Sequence, residues 1–501
     1  IEDAEKAIAP LLVPESSDAR ALRIAAEISI AQKNPAKAQD LLRRVIKADP
    51  LNPEPRVALS RLLARQRNVQ QALAELQEAA AKTPNSAVPD LEMVSLHLAA
   101  RQPDQALAAA KRAQQKDARN PAVELALGTI HLGRGEEAEA RQRFEASLAL
   151  DGAYLPALQR LAQMDVAKGN VSDARSRYRK VLDTNPRNES VAAALLDLMV
   201  QSGASPSEIH AFLADAVRGN PVSARLHLLR IDRLMKYGGA TQAMEAALAA
   251  DAAVPGNPAI VALLGQAQAE AGQRPQALTT FTKLSALQPK SAKPLLQQAR
   301  VHALDKNWRG AKDALSRARA LEPNNPAPYL GLVSVLAAEG NRSQAREVAK
   351  QAQGLFKRQP EPYEAEAQLL AETKDWSGAE SALRLGLANS EHPSLAVRLM
   401  TVLRNAGKDA DAVRFVDEWI KKHPGDSSFT MFVADAAMRR SDFREAERWY
   451  RATIAIDKKN SLAMNNLAWL LGREKSPEAV QFAAQAVALA PTNPAILDTA
   501  G

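Results

Sequence analysis

One period governs this chain. A small residue recurs at Ala4, Ala38, Ala72, Ala106, Ala140 and Ala174, continues through Ile209, Ala243, Ala277, Ala311, Ala345 and Ala379, and ends at Ala412, Ala446 and Ala479. Every step is 34 residues except one of 35 and two of 33. Self-similarity at this length marks an array in which each unit buries its apolar face only by stacking on its neighbours. The run "PEAVQFAAQAVALAP" near the end is one copy; "PQALTTFTKLSALQP" (275–289) and "RGAKDALSRARALEP" (309–323) are others.

Each copy carries helical logic. Four residues after the small one stands a larger group, such as Leu42, Leu76, Phe144, Tyr178, Phe281 or Leu315. Three residues later comes another apolar or small residue, such as Val45, Ala79, Val181 or Leu284. That spacing is one stripe of a helix with 3.6 residues per turn. Twelve residues after the small residue a proline often falls, as at Pro50, Pro84, Pro186, Pro289 and Pro323, where it cannot continue the helix. A second helix lies upstream with its own small position, read from Leu127-Gly128, Leu161-Ala162, Leu264-Gly265 and Leu467-Ala468. Breaker-rich turns such as "GRGE" (133–136), "AGQRP" (271–275) and "EGNRS" (339–343) separate the two. The alanines are therefore spacing devices: Ala38, Ala72, Ala106, Ala140, Ala174, Ala243, Ala277, Ala311, Ala345, Ala379, Ala412, Ala446 and Ala479 let facing backbones approach while the larger stripe residues fill the holes beside them.

Composition agrees, with 46% apolar residues but only 4% aromatics. No apolar run approaches the ~18 residues of a membrane span. The absence of cysteine excludes disulfides and thiolate chemistry within this chain. His97, His131 and His302 share one repeat position, but units stacked about 10 Å apart cannot close two imidazoles on one ion. We therefore expect no metal and no cofactor. Acidic runs such as "GEEAEA" (135–140) open helices, where negative charge suits the dipole. No phosphate-binding loop, dinucleotide fingerprint or nucleophile elbow is present, and we expect no enzyme. Residues 251–350 hold 13 Lys and Arg against 7 Asp and Glu, including Arg300, Lys306, Arg309, Lys312, Arg317 and Arg319. An acidic polysaccharide would suit that excess; nucleic acid is not expected, because such cations more often form the solvated faces of helices.

The pattern resembles the tetratricopeptide repeat, whose signature is W-x2-L-G-x2-Y, then A-x3-F, then P. Val261, Leu264-Gly265, Ala277, Phe281 and Pro289 make one copy, and Leu158, Leu161-Ala162, Ala174, Tyr178 and Pro186 another. The resemblance implies an all-α superhelix, a solenoid of about fourteen helix-turn-helix repeats continuous over residues 1–501. The array is expected to be part of a longer one, because it starts in a second helix and stops within a first. Changes of superhelical pitch are expected near 201–210, where Ile209 replaces alanine, and near 357–364, where the proline arrives late.

In that family the first helices line the inner, concave face and meet the ligand. Carried onto this chain, the groove positions are Arg61, Leu91, Ser95, Leu125, Thr129, Gln159 and Gln163, then Gln266, Arg300, Leu330, Ser334, Glu364, Gln368, Asp435, Asn465 and Trp469. The implied function is a scaffold that binds protein partners. The final run "SLAMNNLAWLL…SPEAVQFAAQAVALAPTNPAILDTAG" further resembles the repeat lipoproteins encoded with PEP-CTERM/exosortase systems, often called PrsT, which are associated with exopolysaccharide production in Gram-negative bacteria. That resemblance implies a periplasmic protein, membrane-anchored through a lipidated N-terminus outside this chain. The opening "IEDAEKAIAPLLVP" lacks the features of a signal peptide, and the alternative is a cytoplasmic adaptor binding peptide segments.

Overall fold

A computed structural model describes Ile8 and residues 18–491 and 493–500; the first small position, Ala4, lies outside them. Among the described residues every regular element is an α-helix of 7 to 14 residues. The chain forms two compact units, Ile1–Gly239 and Ala240–Gly501.

Among the described residues the first unit holds six helical hairpins, from Ala19–Ala31 with Pro35–Ala48 through Glu189–Gln201 with Pro206–Gly219, followed by the helix Ala224–Tyr237. The second unit opens with Ala240–Ala253 and continues through seven hairpins, from Pro258–Glu270 with Arg274–Leu287 to Ser461–Arg473 with Glu478–Leu489, before a short helix, Pro494–Ala500. The stretch 201–210 contains a turn closed by a capping box, in which Ser205 and Glu208 satisfy each other's backbone N–H at the start of Pro206–Gly219. The late proline near 357–364 is Pro360, which sits at the N-cap of Glu361–Glu372 with Pro362 just inside it. It opens the next helix instead of closing the last. Elsewhere asparagine and proline open helices together. Asn52, Asn120 and Asn257 cap the backbone N–H groups of Glu54, Ala122 and Ala259, each directly before a proline at the first helical position.

Within each unit the packing follows the small-to-large alternation. Every spacing alanine from Ala38 to Ala446 is fully buried. Ala479 packs against the same core cluster but stays half-buried. Farther along the same helix, Ala486 is fully buried and packs with Ile496 of Pro494–Ala500. Gly128 and Gly265 show the interlock at closest range. A Cβ on either would lie 2.6 Å from the ring of Phe144 or Phe281, the larger residue sixteen positions on in the partner helix. Buried charge ties helices together as well. Asp90 pairs with Arg112 and Lys116 at 2.8 Å each, and Asp165 with Arg141 at 2.8 Å and Arg177 at 2.6 Å.

The hairpin turns share one backbone device. In each, the C-cap or the residue directly after it takes a left-handed conformation, as Gly135 (φ 80°), Gly169 and Gly203 do in the first unit and Gly272, Gly340 and Gly407 in the second. The following amide then bonds back to the carbonyl five residues earlier, as Glu136 does to His131 at 3.0 Å. Seven of these thirteen turns place a side chain there: Lys33, Arg67, Arg101, Lys306, Lys374, Ser441 and Lys475, with φ between 55° and 64°. Left-handed backbone costs a non-glycine residue roughly 1–2 kcal/mol. A cation at a helix C-terminus recovers only about 0.3–1 kcal/mol. Stability alone would favour glycine at all of them.

Candidate functional site: the first-helix face

The sixteen groove positions all fall on the first helices of hairpins, seven in the first unit and nine in the second. Their chemistry proves more self-contained than their types suggest.

Three of them are hydroxyls, and each donates back to the groove residue one turn earlier. Ser95 donates to the Leu91 carbonyl at 3.4 Å, Thr129 to Leu125 at 2.8 Å and Ser334 to Leu330 at 3.0 Å. The three leucines are half-buried. What these hydroxyls offer outward is therefore lone pairs, that is, acceptors.

Two of the charged positions are engaged between neighbouring first helices. Arg61 forks onto Glu92, with Nε to Oε1 at 3.0 Å and Nη2 to Oε2 at 2.7 Å, and the hydrogen bond raises its already high pKa. Glu364 pairs with Arg398 at 3.2 Å. The amides behave differently. Gln159 and Gln163 are exposed, with only a long contact at 3.5 Å from Arg160 to Gln163. Gln266 and Gln368 reach along their own helices to Glu270 at 3.1 Å and Glu372 at 3.4 Å. Arg300 is exposed and makes no ion pair among the described residues.

At the end of the second unit a polar network forms. Tyr450 donates to Asp435 at 2.7 Å and receives from Asn466 at 3.2 Å. Burial, and then the bond to Asp435, push the tyrosine hydroxyl well above its ordinary pKa, so it remains a donor. Asn465 is buried; its amide nitrogen touches Asn466 at 3.4 Å, and its carbonyl oxygen meets no donor among the described residues. Trp469 is 44% exposed, and Arg473 lies between its ring and that of Phe443, at 5.1 Å and 4.1 Å from the two centroids. Sequence reasoning missed Glu92, Arg398, Tyr450 and Asn466. Glu92 and Arg398 showed only as charges 31 and 34 residues from a groove position, and Tyr450 only as the larger residue four places after Ala446; nothing in the sequence pairs it with Asp435 or Asn466.

Outside this face, the shared histidines have a local role. His97, His131 and His302 each reach the residue five places on across the turn: Gln102 at 3.0 Å, Glu136 at 2.5 Å and Asn307 at 3.2 Å. Among the described residues no cluster of three or more potential ligands gathers, and no helix is long and apolar enough to cross a membrane.

Comparison with known proteins gives consistent results. Two models described as tetratricopeptide repeat match the chain, one at 29–91, 131–198 and 302–369 and the other at 91–154 and 434–494, together more than half its length. The TPR repeat-containing protein PA4667 of Pseudomonas aeruginosa is 31% identical over 128 residues, which is 24% of this chain and 22% of that protein. The match thus spans less than a quarter of the relative's length. Among solved structures, the APC/C hetero-tetramer Cut9-Hcn1 aligns over 100% of this chain and 98% of its own at 15% identity and a TM-score of 0.32. Yeast Tom70 aligns over 96% and 94% at 14% identity and a TM-score of 0.37.

Proposed function

This chain belongs to the tetratricopeptide-repeat family, and from that premise we propose that it is a non-enzymatic scaffold whose first-helix faces hold segments of protein partners. The observation that supports this most is the chemistry of that face. Its charges are largely paired within the protein, while exposed glutamines, hydroxyl acceptors and the Trp469 ring are presented outward. Amides and acceptors of this kind match the N–H and C=O groups of an extended backbone, and an exposed tryptophan supplies the apolar anchor that interfaces favour.

A photo-crosslinking side chain placed at Gln163 or Gln368 is expected to capture a discrete partner band from the native lysate. The same group at Lys180, on the outward side of a second helix, is expected to capture none. Equal labelling from both faces would defeat the reading.

The finer assignment is an envelope-associated component of a PEP-CTERM protein-sorting and exopolysaccharide system; the resemblance of residues 461–501 supports it. A partner set drawn from soluble cytoplasmic proteins would favour the cytoplasmic adaptor instead. A second reading, retention of an acidic polysaccharide, is favoured by Arg300, Lys306 and Arg309, which are exposed and make no ion pair among the described residues. In contrast, Lys312 is paired with Glu339 at 2.7 Å, Arg317 lies 4.0 Å from Asp313, and Arg319 sits 5.3 Å from the Tyr329 ring centroid. Charge reversal at Arg300, Lys306 and Arg309 should abolish retention on an acidic glycan; unchanged retention would remove this reading.

A further inference from the structure

The left-handed turn position separates two groups of hairpins in the first unit. The fourth, fifth and sixth turns use Gly135, Gly169 and Gly203, for which the conformation carries no strain. The first three use Lys33, Arg67 and Arg101, which adopt the same backbone against their preference. All three side chains are exposed, and none makes an ion pair or a side-chain hydrogen bond among the described residues. Arg65, two residues earlier in the second hairpin, is likewise exposed and without an ion pair among the described residues. The carboxylate nearest in sequence to these turns on the following helix, Asp104, is already held by Arg134. Three consecutive turns therefore keep an unneutralised cation at a net cost in stability, where the next three show that glycine serves the backbone.

We propose that this turn edge is a second docking surface, distinct from the first-helix face, which takes an extended acidic polypeptide segment of a partner. Stacked hairpins repeat at roughly the 8–10 Å helix-packing distance. A segment in the extended polyproline II form has three residues per turn and advances about 3.1 Å per residue, so carboxylates at every third residue lie on one side about 9.3 Å apart, in register with Lys33, Arg67 and Arg101. The planar forks of Arg67 and Arg101 suit carboxylates in particular, since each can accept two parallel N–H bonds. Residues 28–37, 62–71 and 96–105 contain no Phe, Tyr or Trp, so neither a nucleic-acid base nor a sugar ring has a surface on which to stack.

The test uses the full chain and a fluorescent peptide with glutamate at every third position among glycine and serine. A control peptide of the same composition carries its glutamates side by side. The spaced peptide should bind more tightly than the control and weaken as salt is raised. The triple variant Lys33→Gly, Arg67→Gly, Arg101→Gly should lose about tenfold or more in affinity, while its thermal midpoint holds or rises. A purely structural role for the three cations predicts no such separation of binding from stability. Equal binding by wild type and variant overturns the proposal, as does indifference to glutamate spacing. Tighter binding of a uronate polymer or of anionic vesicles than of the spaced peptide also overturns it, by assigning the edge to another class of partner.

Discussion

The interlock of glycine and phenylalanine gives the most exacting prediction. A Cβ added at Gly265 would meet Phe281 Cε1 at 2.6 Å, Cζ at 2.8 Å and Cδ1 at 2.9 Å, all well inside van der Waals contact. The ring is 1% exposed and has no solvent to move into. Gly265→Ala should therefore carry an overpacking cost of about 1–3 kcal/mol. Against this stands the gain of about 0.5–1 kcal/mol from replacing a mid-helix glycine by alanine. The net effect ranges from near neutral to about 2.5 kcal/mol destabilising. Phe281→Ala alone should cost about 3–5 kcal/mol. In that background the obstruction is gone, and Gly265→Ala should stabilise by about 0.5–1 kcal/mol. The double-mutant cycle thus predicts a coupling of about 1–3 kcal/mol. Repeat arrays need not unfold in a single step, so urea melts by circular dichroism should be paired with hydrogen exchange of Pro258–Glu270 and Arg274–Leu287. If Gly265→Ala has the same effect in both backgrounds to within about 0.5 kcal/mol, the small position is not a spacing device.

Other outcomes follow from the same packing. Ala277→Leu, at a fully buried contact, should cost about 1–3 kcal/mol, while Lys290→Ala at an exposed site should move the thermal midpoint little. In the turns, Gly135→Ala should destabilise by roughly 1–2 kcal/mol and Lys306→Gly should stabilise by up to about 1 kcal/mol, both read from thermal melts. At Asp165, burial alone would raise the carboxyl, but hydrogen bonds from Arg177 and Arg141 outweigh it and hold the group below the usual carboxylate range. The unfolded chain then binds this proton more readily than the folded one, so the contribution is complete above about pH 3.9 and is lost as the pH falls through the lower folded value. Asp165→Asn should destabilise at neutral pH and flatten that acid limb in a pH series of urea melts.

What could be read beforehand was whatever repeats with the period. The helices, their order and the buried alanines all follow from a small residue, a larger one four places on and a punctuating proline, because stacking imposes one geometry on every unit. Individual side-chain contacts escaped, most of them off the period. Arg61 and Glu92 lie 31 residues apart, and Tyr450 and Asn466 only 16, so their pairing depends on how neighbouring helices are offset along their axes. The turns divide along the same line. Glycine announces a left-handed residue at "GRGE" and "EGNRS", whereas Lys33, Arg67 and Arg101 carry no such signal and adopt it only because the hairpin imposes it. Asn465 takes its groove position from the repeat, yet the fold buries it, with its amide nitrogen 3.4 Å from Asn466.

The central claim is that one hairpin geometry is repeated along the chain, with its breaks at the left-handed turns. Amide hydrogen exchange resolved along the sequence tests this directly. The account predicts slow exchange within helices such as Leu155–Ala167 and Val171–Thr184, with minima of protection recurring about every 34 residues around positions 33, 67, 101, 135 and 169. Protection that ignores this period, or runs unbroken through those turns, would contradict it.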